Sequence, residues 1–252
     1  MISKALLKTI KSLELKKFRK ESGLFIAEGS KTVTDLMEVG IKAEKVIATK
    51  EWLATHKIPQ GSEIIEATED EIKKASFLCT PQGVISIFRQ PKYSADPLIP
   101  EHKLCLALDN VQDPGNLGTI IRIADWFGIE DIYCSSGCVD AYNPKTIQAT
   151  MGAIGRVRVH YINLADFLSS LKGKAPIYGT FLDGNDIYTT DISQNGVIVM
   201  GNEGNGISKE CSLHITERIL IPNYPTGRAT SESLNVSIAT AIVCSEFRRR
   251  SR

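Results

Sequence analysis

No apolar run in the chain approaches the roughly 20 residues that a membrane-spanning helix requires, so a membrane partner is not expected. The first stretch, MISKALLKTIKSLELKKFRK, lacks both a long apolar core and a small-residue cleavage site. A signal peptide is therefore not expected either. Cysteine is sparse and scattered, at positions 79, 105, 134, 138, 211 and 244, mostly within apolar segments. That usage fits reduced core thiols in a cytoplasmic protein rather than a disulfide framework. Cys134 and Cys138 lie four apart but have no second Cys/His pair at zinc-finger spacing, and the four His residues do not supply one. No metal is expected. An excess of one charge is missing as well, since the formal net charge is only +1. No internal repeat is apparent.

What the chain does have is an uneven distribution of that charge. The segment 1–20 carries Lys4, Lys8, Lys11, Lys16, Lys17, Arg19 and Lys20 against Glu14 alone, and the chain closes on FRRRSR. Two basic clusters on an otherwise neutral chain suit a phosphate-backbone partner, against the plain alternative of solvated helix faces.

At 252 residues the chain holds one large domain or two modest ones, with a real core in either case. The first part reads as a small α/β unit. A basic helix over about residues 3–20 precedes the strand GLFIAEG. A helix from Ser30 to about Val39 follows, with Ser30 as its N-cap and Gly40 as its C-cap. KVIATKEW, SEIIEAT and GVISIFR read as further strands, and Thr68 with Glu71 forms a capping-box pattern. The Pro-rich, aperiodic QPKYSADPLIPEHK marks a linker. The expected organisation is a unit at 1–90, a linker at 91–102 and a second domain at 103–252.

Beyond the linker, apolar strands alternate with helices: LCLALD, DIYCSS, IYGTFL, GVIVMG and RILIPN. Continuous apolar strands of this kind predict a mostly parallel sheet covered on both faces. Ligands collect at the carboxyl edge of such sheets, and the polar stretches of this half fall there.

The first such stretch is NVQDPGNLGTIIRIADWFGI, from Asn110 to Ile129. Asn116 reads as the cap of the following helix, and Arg122 is the charged residue in that helix's apolar first half. A solvent-facing side chain explains Arg122, but a helix rising from the ligand edge makes a phosphate or hydroxyl contact competitive. The second stretch, VIVMGNEGNGISKE, offers Gly201, Gly204 and Gly206 for close backbone approach. It fails the phosphate-binding loop pattern, because Ile207-Ser208 stands where Lys-Ser/Thr is required, and it fails Gly-x-Gly-x-x-Gly. Glu203 inside it would repel phosphate. Its alternative is a helix N-terminal acid facing the dipole. In the third stretch, ILIPNYPTGRATSESLNVSIATAIVCSEFRRR, Ser233 and Asn235 stand where a long apolar helix opens and read as caps. A small-molecule α/β enzyme using the glycine loop for a nucleotide is the competing reading, weakened by the failed loop patterns.

In this order, the three stretches closely resemble the SpoU (TrmH-like) family of RNA ribose 2′-O-methyltransferases, within the SPOUT superfamily. The resemblance covers about 103–250, and NPKTIQATMGAIGRV fits the family's middle block. KKFRKESGLFIAEGSKTVTDLM more loosely resembles its accessory L30e-like RNA-binding domain. The resemblance implies a C-terminal trefoil knot, which ordinary connection rules would never suggest. It implies S-adenosylmethionine held largely by backbone groups, with Gly201, Gly206, Ile221 and Leu234 contributing. It implies a homodimer, and a catalytic set of Arg122, Asn116, Glu203, Ser233 and Asn235. A guanidinium keeps its proton at neutral pH. Arg122 therefore stands either as an unusual base or as a phosphate grip that stabilises a developing alkoxide. The accessory domain implies ribosomal RNA as the substrate, with transfer RNA, or an inactive RNA-binding protein of the same fold, as alternatives.

Overall fold

The computed structural model describes residues 1–225, 228 and 233–250, which form two compact units. Residues 226, 227 and 229–232 of the third stretch, and the last two residues of the basic C-terminus, lie outside the described residues.

The first unit comprises 1–92 together with 140–156. Its helices and strands run α1 (Lys4–Ser12), α2 (Lys16–Ser22), β1 (Leu24–Glu28), α3 (Ser30–Glu38), β2 (Ala43–Ala48), α4 (Lys50–Thr55), β3 (Glu63–Glu66), α5 (Glu69–Ala75) and β4 (Val84–Arg89). The sheet order is β1-β4-β2-β3, with β3 parallel to β2 and both β4 pairings antiparallel. Ile10, Ile26, Ile47, Ile72 and Ile85 meet in its core. The capping box at Thr68 and Glu71 forms as expected.

Three local expectations need correction. The basic helix is two helices, because Arg19 turns inward and is buried. Its Nη1 donates to the carbonyls of Leu13 and Glu14 at 2.9 and 2.7 Å. Those are the carbonyls left unpaired at the end of α1. Ser30 is the first residue of α3 rather than its cap. Gly29 holds the cap position at φ 89°, and Ser30 Oγ accepts from Trp52 Nε1 at 2.9 Å. The KEW of KVIATKEW is helical, because Thr49 Oγ1 caps α4 by accepting from Trp52 N.

The second unit comprises 93–139 and 157–250 of the described residues. It runs β5 (Leu104–Leu108), α6 (Pro114–Trp126) and β6 (Asp131–Cys134). After the excursion carrying α7 (Pro144–Thr150) come β7 (Arg158–Tyr161), α8 (Leu164–Ser170), β8 (Ile177–Asp186), β9 (Gly196–Met200), α9 (Lys209–Ser212), β10 (Glu217–Leu220) and α10 (Val236–Arg249). The sheet order is β10-β8-β9-β5-β6-β7, and every pairing is parallel. β5 and β9 are buried along their whole length, as a centrally placed parallel strand must be. The described helices include none long and apolar enough to cross a membrane.

The sequence assigns 103–252 to one domain, but residues 140–156 group with the first unit. Asp140 accepts from Arg19 Nε and Nη2, at 2.8 and 2.6 Å, and the Tyr142 ring packs on Phe25. Strand β7 had no expectation attached to it. The arginines of the C-terminal cluster are also internally engaged. Arg248 donates to the carbonyls of Phe127 and Gly128, at the end of α6. Arg249 and Arg250 both pair with the buried Glu246. Among the described residues, Arg248, Arg249 and Arg250 of this cluster are thus engaged within the fold.

Candidate active site

The site is built on the carboxyl edge of β5 and β9. At the end of β5, the buried Asp109 accepts from Ser208 N through Oδ2 and from Asn110 Nδ2 through Oδ1, both at 2.8 Å. Asn110 takes φ 57°, a left-handed conformation that Asn tolerates better than most residues. Asp113, not Asn116, caps α6: its Oδ1 accepts from Asn116 N at 2.7 Å, and Pro114 takes the first helical position that suits it.

Relieved of capping, the Asn116 side chain joins the three sequence stretches. Its Nδ2 donates to Glu203 Oε1 at 2.6 Å, and its Oδ1 accepts from Asn235 Nδ2 at 3.0 Å. Asn235 is the cap of α10, so its Oδ1 is committed to Ser237 N and Ile238 N at 3.0 and 3.3 Å. That commitment turns the Asn235 amide toward Asn116, and the Asn116 amide in turn toward the carboxylate. One capping interaction thereby fixes the direction of the whole chain.

The glycine loop is closed by paired backbone hydrogen bonds between Asn202 and Gly206, at 3.0 and 2.9 Å. Asn202 is a residue the sequence reading missed. Its Oδ1 accepts from Gly204 N and Asn205 N, and its Nδ2 donates to Asn110 O at 2.7 Å, which ties the loop to β5. Its signal was visible only as an Asn after a buried strand. Gly201 is obligatory: a Cβ there would fall 2.2 Å from Gly206 C and 2.4 Å from Ile207 N.

A cavity of about 430 Å³ opens beside this loop. Gly201, Gly206, Ile221 and Leu234, the four expected cofactor positions, all line it, as do Glu203 and Ser233. Thr180, Phe181 and Leu182 form a further wall. They were expected only as part of the strand IYGTFL, and β8 in fact runs on to Asp186. No Lys or Arg lines the cavity, whereas Glu203 does. Apolar walls, loop backbone and one carboxylate suit a neutral nucleoside carrying a cationic sulfur, and they fit S-adenosylmethionine better than a nucleotide phosphate.

Arg122 stands apart from the polar chain. It is exposed on α6 and makes no hydrogen bond or ion pair with another described residue. The structure thus joins Asn116, Glu203 and Asn235 directly, brings Ser233 to the cavity, and leaves Arg122 without a partner among the described residues. Among the described residues, no group of three or more His, Cys, Asp or Glu has the arrangement of a metal site.

A parallel sheet with a glycine loop and, on its carboxyl edge, a cavity whose described lining has no Lys or Arg has the layout of an α/β enzyme that takes a nucleoside. The chain belongs to the SpoU rRNA Methylase family, whose model matches residues 103–245. The MRM3-like substrate binding domain matches residues 4–86. Among its relatives, the 23S rRNA (guanosine(2553)-2′-O)-methyltransferase RlmP of Bacillus subtilis is 30% identical, with 94% of each chain covered. A TrmH-family protein from Porphyromonas gingivalis superposes with a TM-score of 0.90 at 38% identity, covering 99% of each chain. An AdoMet-bound rRNA methyltransferase from Sinorhizobium meliloti superposes with a TM-score of 0.86 at 33% identity, covering 99% of this chain and 96% of that one.

Proposed function

We propose that this enzyme methylates a ribose 2′-OH of ribosomal RNA, with S-adenosylmethionine as the methyl donor. The observation that carries the reading is the Glu203–Asn116–Asn235 hydrogen-bond chain, which joins all three family stretches at a cavity free of basic side chains. The family description and the full-length relative RlmP, both named for rRNA, favour ribosomal over transfer RNA.

The donor supplies an electrophilic methyl group on a sulfonium. The protein's part is to hold the ribose oxygen in line with it, since positioning alone can remove much of the barrier. In this proposal Gly201, Gly206, Ile221 and Leu234 hold the donor, and Ser233 and Asn235 order the edge of the pocket. Glu203 and Asn116 orient the ribose. Arg122, without a partner among the described residues, grips the adjoining phosphate and stabilises negative charge developing on the oxygen.

The C-terminal chain is proposed to thread as a trefoil knot. The return of Ser233 and Leu234 to a cavity also lined by Leu220 and Ile221 supports this. The first unit, about residues 1–90, is proposed to be L30e-like and to select the RNA. Its mixed four-stranded sheet and exposed lysines are consistent with that role. A cytoplasmic homodimer is the proposed working form. α6 and α10 pack together and leave Trp126, 85% exposed, and Ile238 on the surface.

The direct test incubates the protein with S-adenosylmethionine and unmodified ribosomal RNA, then maps the product by mass spectrometry. A nuclease fragment heavier by one methylene, with the methyl on ribose, is expected. Methylation confined to a base, or none at all, would overturn the reading.

A further inference from the structure

A second cavity, of about 620 Å³, opens on the carboxyl edge of the same sheet and has no role in the chemistry above. Its lining takes up where that of the first leaves off, with Ser208, Glu210 and Cys211 following the glycine loop. It lies where the strand order reverses: from β5 the chain steps to β6 on one side and later returns to β9 on the other. Crevices at such switch points are the usual ligand sites of open parallel sheets.

Its chemistry is selective. Among the described residues no Lys or Arg lines it, and the carboxylate of Glu210 disfavours a phosphate there. Asp109 is spent, since both of its oxygens already accept hydrogen bonds. Glu210 is exposed and has no partner among the described residues, which leaves an acceptor-only group on the rim. Asn163 caps α8, so its Oδ1 is committed to Asp166 N and its Nδ2 remains a donor. The apolar Leu164 and Ala165 line the cavity as well, as does Tyr161, whose hydroxyl donates to Val139 O.

We propose that this cavity receives a guanine base of the substrate RNA, an inference that rests on the RNA-modifying reading above. An unstacked base is recognised by stacking and through its Watson–Crick edge. Guanine alone among the RNA bases places two N–H donors side by side for one carboxylate, next to an oxygen that accepts from an amide. Glu210 takes N1–H and N2–H, Asn163 Nδ2 donates to O6, and Tyr161 stacks.

The test uses the full chain saturated with S-adenosylhomocysteine, so that the cofactor cavity is occupied, and titrates guanosine, inosine and adenosine by saturation-transfer NMR. Guanosine should bind about tenfold tighter than inosine, which lacks the 2-amino donor. Glu210→Gln should erase that preference. Asn163→Asp keeps the helix cap but removes the donor, and should weaken guanosine binding by a similar factor. Ala165→Trp should fill the cavity and abolish binding. With ribosomal RNA, Glu210→Gln and Asn163→Asp should raise KM about tenfold while leaving kcat and cofactor affinity unchanged. Should Ala165→Trp fail to fold, the two isosteric variants decide. Equal binding of the three nucleosides, or an RNA KM unmoved by both variants in an active enzyme, would sink the guanine site alone. Guanosine binding with these variant effects would uphold the site even if no methyl reached the RNA.

Discussion

Asn116 and Arg122 share a helix yet meet different surroundings, and that contrast sets what each substitution should do. Asn116 is held at both ends of its amide, by Glu203 and Asn235, whereas Arg122 is exposed and has no partner among the described residues. Arg122→Ala should therefore leave folding and cofactor affinity nearly unchanged and strike turnover. Removing one preorganised charge at a reacting oxygen costs on the order of 10²–10³ in rate. Arg122→Lys discriminates between roles: partial rescue marks a mainly electrostatic contribution, and no rescue marks the planar fork as essential. Single-turnover kinetics beside calorimetry with S-adenosylhomocysteine separates these outcomes, and near-normal turnover in a folded Arg122→Ala would remove the residue from the mechanism. Gly201→Ala should behave in the opposite way. Its new methyl meets loop backbone rather than a movable side chain, so the loop must open. Strain of about 1–3 kcal/mol is expected. Cofactor affinity should fall before any change in RNA binding, and calorimetry reads that directly.

Elements owe their placement to a few committed side chains. β6 and β7 are joined beneath the site by Asp131, which is 1% exposed and accepts from Arg158 Nε and Nη2 at 2.7 and 2.6 Å and pairs with His160 Nε2 at 2.9 Å. Burial pushes this carboxyl upward, but the hydrogen bonds and charges of Arg158 and His160 outweigh it and hold the carboxyl at about 2. Because the folded value lies below the unfolded one, the stabilisation is complete above about pH 4 and is lost as the pH falls toward 2. Asp131→Asn should cost about 3 kcal/mol at neutral pH and flatten that acid limb. Urea unfolding across the acid range tests both, and an unchanged acid limb in the variant would refute the assignment. This strand pair also marks where sequence reading ran out. The β5 and β9 runs are buried on both faces, and that pattern is legible in composition alone. β7 reads RVHY, with its charge and imidazole satisfied by a partner strand 27 and 29 residues away, which no local periodicity reveals. The cap of α6 was misread for a related reason. Asn116 and Asp113 are both good caps, and the choice falls on Asp113 because Pro114 suits the first helical turn. Asn116 is then free for its relay. The four residues expected at the cofactor, by contrast, follow from the family resemblance rather than from local pattern, and the structure gathers them around one cavity.

At the scale of the whole molecule, the net charge of +1 conceals two basic clusters with different fates. Arg248, Arg249 and Arg250 are consumed by carbonyls and by Glu246, and Arg19 is buried against Asp140. Lys4, Lys8, Lys16, Lys17 and Lys20 stay exposed on α1 and α2. By charge count alone the two clusters carry equal weight, because a sequence does not show which cations already have partners. The structure separates them, and RNA binding should follow that separation. Each lysine that neutralises a phosphate releases a counterion, so the slope of log affinity against log salt should fall by about 0.7–0.9 for each such lysine replaced. Lys16→Gln, Lys17→Gln and Lys20→Gln combined should weaken ribosomal RNA binding at low salt, flatten the slope and leave thermal stability unchanged. Arg248→Gln should do the reverse: it strips a cap from α6 and lowers stability by about 1 kcal/mol, with the salt slope intact. Filter binding over a salt series, paired with thermal melts, reads all four quantities. A steeper loss of RNA affinity from Arg248→Gln than from the lysine triple would mean that the C-terminal arginines contact phosphate after all.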